Sequence, residues 1–260
     1  MCKIIAIANQ KGGVGKTTTA MNVGVALCMQ NKRVLLIDFD PQANLSSYLN
    51  FDGDNKPTIS HLIMAAIGQG KKLDDVKGYI RHNELNDIDY IPSDINLANA
   101  EYYLTVALSR ETVLKRMLTD ELVGDYDYII IDCNPSLGVL LMNALVASNG
   151  IIIPVQAQDF AFDGLGMLNS IFEQVKSALK PELQLVGVLP TMVEENTNAS
   201  KRVVEKLRER YQDKLFDTSI HRATEAVQST SRHKSLCLYK NRLGDEYKAL
   251  AIEVIERTNE

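Results

Sequence analysis

A glycine-rich segment, Gln10-Lys-Gly-Gly-Val-Gly-Lys-Thr-Thr18, stands between a short apolar run, Lys3 to Ala8, and a long helical stretch, Lys16 to Gln30. Strand, glycines and helix in that order make one βα unit whose turn must aim backbone N–H groups inward, which glycine permits. The helix that follows points its positive end at the same place, so the turn is a cradle for an anion. A lysine and a hydroxyl at positions 16 and 17 match phosphate oxygens and a divalent cation, respectively. The pattern therefore predicts a phosphate loop built from Lys11, Gly12, Gly13, Val14, Gly15, Lys16, Thr17 and Thr18.

The rest of the 260-residue chain has the rhythm such a unit requires. Apolar runs at Arg33 to Asp38, Tyr128 to Asp132, Gly150 to Val155 and Gln184 to Leu189 read as strands, and their unbroken apolar character marks strands covered on both faces. Amphipathic stretches at Arg110 to Leu122, Leu137 to Ala147, Asp163 to Leu179, Asn198 to Tyr211 and Asp245 to Arg257 read as helices. The alternation predicts an α/β fold, a mainly parallel twisted β-sheet flanked by helices on both faces. The less regular region from Asp52 to Asn99, with a weaker strand at Asp87 to Ile91, is expected to decorate the sheet edge. With no linker or repeat in view, residues 1–260 are expected to form a single domain.

Two strands end in carboxylates. Leu35 to Gln42 reads L-L-I-D-F-D-P-Q and brings Asp38 and Asp40 to a strand's carboxyl end, where open α/β sheets bind ligands. Ile129 to Ser136 reads I-I-I-D-C-N-P-S and delivers Asp132 to the same edge. A carboxylate there suits a Mg²⁺ site, with Thr17, Asp40 and Asp132 as its candidate ligands. The four cysteines, Cys2, Cys28, Cys133 and Cys237, are too dispersed for a C-x-x-C pair and read as reduced thiols of a cytoplasmic protein.

Net charge is −5, from 28 Lys+Arg and 33 Asp+Glu, which by itself argues against nucleic acid. Its distribution argues the other way: Lys201 to Arg242 holds 11 basic and 5 acidic residues, leaving 17 basic and 28 acidic elsewhere. The chain is expected to carry a basic face on an acidic body. No apolar run approaches the ~20 residues of a membrane span.

The K-G-G-V-G-K-T-T variant, with Gln10 where the standard motif has its first glycine, resembles the deviant Walker A motif of the ParA/MinD superfamily of P-loop ATPases. Small ParA/Soj-type partition ATPases match across nearly the whole chain: D-F-D-P-Q at Asp38, I-P-V-Q at Ile153, F-D-G-L at Phe162, L-P-T-M at Leu189 and Y-K-A-L-A at Tyr247. The resemblance implies an ATP- and Mg²⁺-dependent homodimer that binds DNA without sequence preference and hydrolyses ATP when a ParB-like centromere-binding protein stimulates it. Lys11 would reach the partner's nucleotide, Lys16 the phosphates of its own, and Asp40 would position the attacking water. Lys201, Arg202, Arg208, Arg222 and Arg232 would supply the DNA surface.

Three positions depart from that pattern: His221 and Asn134 replace prolines, and Asn196 stands where Soj-like sequences place an arginine. A MinD-like membrane role is the alternative, but the tail from Ala249 carries Glu253, Glu256 and Glu260 against Arg257, which repels anionic lipid. Cluster carriers that share the loop need bridging cysteines that Cys133 alone does not supply. A relative that positions another cargo is the remaining reading.

Overall fold

The structure, a computed structural model, describes residues 1–68, 76–158, 161–162 and 164–259. Seven strands form one sheet among the described residues: β1 (Lys3–Ile7), β2 (Val34–Phe39), β3 (Arg81–Asn83), β4 (Ile88–Ile91), β5 (Tyr128–Cys133), β6 (Gly150–Gln156) and β7 (Gln184–Thr191). Their order is β3-β4-β2-β5-β1-β6-β7, all parallel except the edge strand β3. The irregular region does decorate that edge, as β3 and β4.

Helices cover both faces because each buried strand divides its side chains by period two. Ile4, Ala6, Leu35, Ile37, Ile129 and Ile131 belong to one core, under α3 (Ile59–Gly68), α4 (Leu97–Thr105), α5 (Val113–Met117), α6 (Asp120–Gly124), α7 (Val139–Ala147), α8 (Leu165–Ala178) and α9 (Asn198–Tyr211). Ile5, Ile7, Leu36 and Ile130 belong to the other, under α1 (Lys16–Met29), α2 (Asn44–Tyr48), α10 (Glu225–Ser231) and α11 (Arg242–Asn259).

The helix expected at Arg110 to Leu122 is broken. A 3₁₀ turn at Arg110–Thr112 leads into α5, and a second helix, α6, starts only after Thr119, which is extended and accepts a hydrogen bond from the Leu122 amide at 3.4 Å. The cause is tertiary: buried Asn143 of α7 takes the Leu114 amide at 3.1 Å and donates to the Arg110 carbonyl at 2.7 Å, which fixes the first turn. The helix expected from Leu137 starts at Val139, and that expected from Asp245 starts at Arg242. Asp163, where another was expected to begin, lies outside the described residues, and α8 runs from Leu165.

The sheet order puts β1 between β5 and β6 and sends the first crossover out to β2, so the carboxyl ends of β1, β2 and β5 gather at one edge. Pro154 fits inside β6 because that strand pairs with β1 only over Gly150–Ile152, and its missing N–H costs β1 no bond.

Candidate functional site

Gly13 and Gly15 hold φ of +72° and +87°, the left-handed region that gives the loop after β1 its inward curl. A Cβ built on Gly12, Gly13 or Gly15 meets nothing within 4 Å, so the cradle faces open space. Two side chains brace it. Asn9 donates to the Pro154 carbonyl at 2.7 Å and accepts from the Lys11 amide at 3.0 Å, and the Thr191 hydroxyl donates to the Val14 carbonyl at 2.9 Å. The loop is thereby tied to both β6 and β7.

Lys16 opens α1 and is buried, with its ammonium donating to the Lys11 carbonyl at 3.3 Å. Burial lowers it below the ordinary lysine value, and Asp132 is the strongest opposing influence. Lys11 is half-buried and makes no ion pair among the described residues. A cavity of about 430 Å³ lies over the loop, lined by Lys16, Thr17, Thr18, Asp40, Tyr48 and Thr230 among others.

The three carboxylates are held differently. Asp38 is buried, and its Oδ2 accepts from the Ser46 amide at 2.8 Å and the Ser46 hydroxyl at 2.7 Å. Burial nevertheless raises its carboxyl from 3.8 to about 6. Asp40 lines the cavity just past the end of β2, with its Oδ1 accepting from the Gln42 amide at 2.9 Å. Asp132 is 1% exposed, and neither oxygen has a hydrogen-bond partner among the described residues. Burial, and then repulsion from Asp38, push its carboxyl well above the usual range, while Thr17 and Lys16 favour the ionised form. The Thr17 hydroxyl acts on it from close by without meeting hydrogen-bond geometry.

No group of three or more His, Cys, Asp or Glu that could cage a metal occurs among the described residues. One buried, unpaired carboxylate beside a hydroxyl fits Mg²⁺ instead, which keeps several waters and takes few protein ligands. Of the expected ligands, Thr17 and Asp40 line the cavity, and Asp132 is buried beside Thr17. Cys133 is buried and hydrogen-bonds the Ile131 carbonyl at 3.8 Å, with its thiol pushed up by burial.

A second cavity of about 230 Å³ was not anticipated from the sequence. It shares Gly15, Thr18 and Met192 with the first and is walled by apolar groups such as Ile220, Val227 and Leu243. Met192 sits at φ +50°, a strained conformation for a non-glycine residue, at the junction of the two.

The basic residues are spread over several elements. Lys201, Arg202 and Arg208 are exposed on α9, without ion pairs among the described residues. Arg232 is exposed at the end of α10. Arg222 lines the second cavity and is paired with Glu194 at 2.9 Å. Beside it, Glu195 and Glu246 hold both His221 and Arg242. Glu194 and Glu195 thus offset part of the positive charge counted from Lys201 onward.

A family described as an AAA domain matches residues 2–185. The sporulation initiation inhibitor protein Soj of Bacillus subtilis is 41% identical over 256 residues, covering 98% of each chain. The chromosome partitioning protein ParA of Myxococcus xanthus is 37% identical over 257 residues, 98% of this chain and 88% of its own. A solved structure described as cobyrinic acid a,c-diamide synthase from Mycobacterium smegmatis, with bound ATP analogue and magnesium, superposes at a TM-score of 0.86 with 32% identity, covering 99% of this chain and 96% of that one. Because the likeness runs the length of the chain and not through the phosphate loop alone, the protein belongs to the ParA/MinD family, among the ParA/Soj-type partition ATPases.

Proposed function

We propose that this chain is a Mg²⁺-dependent ATPase of plasmid or chromosome partition that dimerises on ATP, binds non-specific double-stranded DNA in that state, and is released when a ParB-like partner stimulates hydrolysis. The observation that carries the reading is the pair of adjoining cavities, one over the glycine loop with Lys16, Thr17, Thr18 and Asp40 in its wall and a more apolar one beyond Met192, which suits a triphosphate and a purine base.

In this reading the backbone N–H groups from Gly12 to Thr18 wrap the phosphates, and the Lys16 ammonium leaves the Lys11 carbonyl for phosphate oxygens. Bound Mg²⁺ supplies positive charge against the phosphates. Thr17 and Asp132 are the side chains that would hold it. Asp40 orients the attacking water, and Asp38 stiffens the turn that carries Asp40 by fixing Ser46. Lys11, unpaired in the single chain, reaches the nucleotide of a second copy, so that phosphoryl-transfer charge is stabilised only when two chains meet. Lys201, Arg202 and Arg208 form the phosphate-backbone contact, joined by Arg222 and Arg232.

Sedimentation of the chain with and without DNA tests this reading, in MgATP, in MgADP and without nucleotide. It expects a dimer and a DNA complex in MgATP only; DNA binding that ignores the nucleotide overturns the switch.

A further inference from the structure

Asn134 is a buried polar side chain that adjoins the site in sequence and has no role so far. It follows β5 directly and precedes Pro135, which lines the phosphate cavity. It is 7% exposed, and its Oδ1 meets no hydrogen-bond donor among the described residues. An orphaned carboxamide oxygen loses its hydration on folding and gains nothing in return, so its burial calls for an absent donor.

Its neighbours share the same want. Both oxygens of Asp132, two residues earlier, and Oε1 of Gln10, at the start of the phosphate loop, are buried without donors. Following β1 and at and after the end of β5, then, four buried side-chain oxygens lack hydrogen-bond partners, while the ammonium of Lys16 is directed at the Lys11 carbonyl. Water bound to a cation is the complementary group: its oxygen is committed to the metal, its O–H bonds are polarised, and it presents donors alone.

We propose that the side-chain carbonyl of Asn134 is a positioning residue of the nucleotide site, accepting a hydrogen bond from the water shell of the divalent cation alongside Asp132. The proline of the family pattern offers no such acceptor, which makes the contact a property of this chain. The inference rests on the nucleotide reading above.

The test titrates Mg²⁺ into the full chain with a fluorescent non-hydrolysable ATP analogue, using wild type, Asn134→Leu and Asn134→Asp, with a parallel arm in EDTA and thermal unfolding of the nucleotide-free proteins. Losing one hydrogen bond should raise the half-saturating Mg²⁺ of Asn134→Leu about fivefold. Its analogue affinity in EDTA should be unchanged and its Tm no lower, because an apolar isostere removes an unpaired oxygen. Asn134→Asp should bring the half-saturating Mg²⁺ back to or below the wild-type value. A Mg²⁺-dependent wild type with an unchanged Asn134→Leu overturns the inference alone. So does a drop in Tm with an equal loss of affinity in EDTA, which marks a packing role or a trapped water unrelated to the cation. A wild type indifferent to Mg²⁺ overturns the nucleotide reading and this inference together.

Discussion

Asp38 and Asp132 are register partners on adjacent parallel strands, yet Ser46 saturates one oxygen of Asp38 while Asp132 has no hydrogen-bond partner among the described residues. One carboxylate is a structural brace and the other is held open, at a cost to the folded state. Hypothesis: in the nucleotide-free chain at pH 7.5, Asp132→Asn removes a buried carboxyl group that has no hydrogen-bond partner among the described residues and raises stability by about 1–3 kcal/mol, while weakening Mg²⁺-dependent nucleotide binding. Urea unfolding in EDTA, paired with analogue binding in Mg²⁺, checks both halves. A destabilised Asp132→Asn would show that the open carboxylate is not a strained one.

The pH dependence follows from the same pair. Asp38 has its folded carboxyl raised from 3.8 to about 6, so protonation favours the folded chain. Its stabilising contribution is complete below about pH 4 and is lost as pH rises past about 6, a change on the order of 3 kcal/mol. Asp132 shifts in the same direction. Denaturation of the nucleotide-free chain between pH 4 and 7.5 should show stability falling through this window for wild type and less so for Asp132→Asn. Parallel curves for the two proteins would contradict the prediction.

Under the proposed function, Lys11 should separate binding from assembly. Because its side chain makes no ion pair among the described residues and only its backbone supports the loop, Lys11→Ala should bind the ATP analogue within about threefold of wild type. It should fail to sediment as a dimer and fail to turn over ATP. Normal hydrolysis by Lys11→Ala at monomeric concentration would remove the cross-subunit role.

The proposed DNA surface is tested by opposing charge changes. Arg222→Glu should lower DNA affinity in MgATP and shrink the salt slope by ~1 for each DNA phosphate that is no longer neutralised. Glu194→Gln, which frees Arg222 from its ion pair, should raise affinity by a few-fold at most, since exposed pairs are worth about 1 kcal/mol or less. Lys201→Glu with Arg202→Glu should lower affinity without touching nucleotide binding. Salt titrations of all three that coincide with wild type would place DNA elsewhere.

The six parallel strands and the phosphate loop were legible because each is encoded locally, in short apolar runs or in nine consecutive residues, whereas the three-residue antiparallel edge strand β3, Arg81–Asn83, has no such run and was not anticipated. What escaped was tertiary. The first turn at Arg110–Thr112 is held by Asn143 of a distant helix, and the short helices α2 and α10, which bring Tyr48 and Thr230 to the cavity, have too few residues to show a period. The apolar cavity is assembled from segments as far apart as Thr18 and Tyr247. The charge count from Lys201 to Arg242 found a real excess but stopped short of Glu194 and Glu195, whose partners lie inside the window.

Phosphate release from ATP by wild type, Lys16→Ala and Asp40→Ala, measured beside MgATP-analogue binding by the same proteins, is the most direct test of the central claim. Wild type should bind and hydrolyse. Lys16→Ala should lose both, because the phosphate charge then has no ammonium in the loop. Asp40→Ala should keep binding and lose about 10²-fold or more in hydrolysis, as removal of a water-positioning carboxylate predicts. Tight binding and normal turnover by Lys16→Ala would contradict the account.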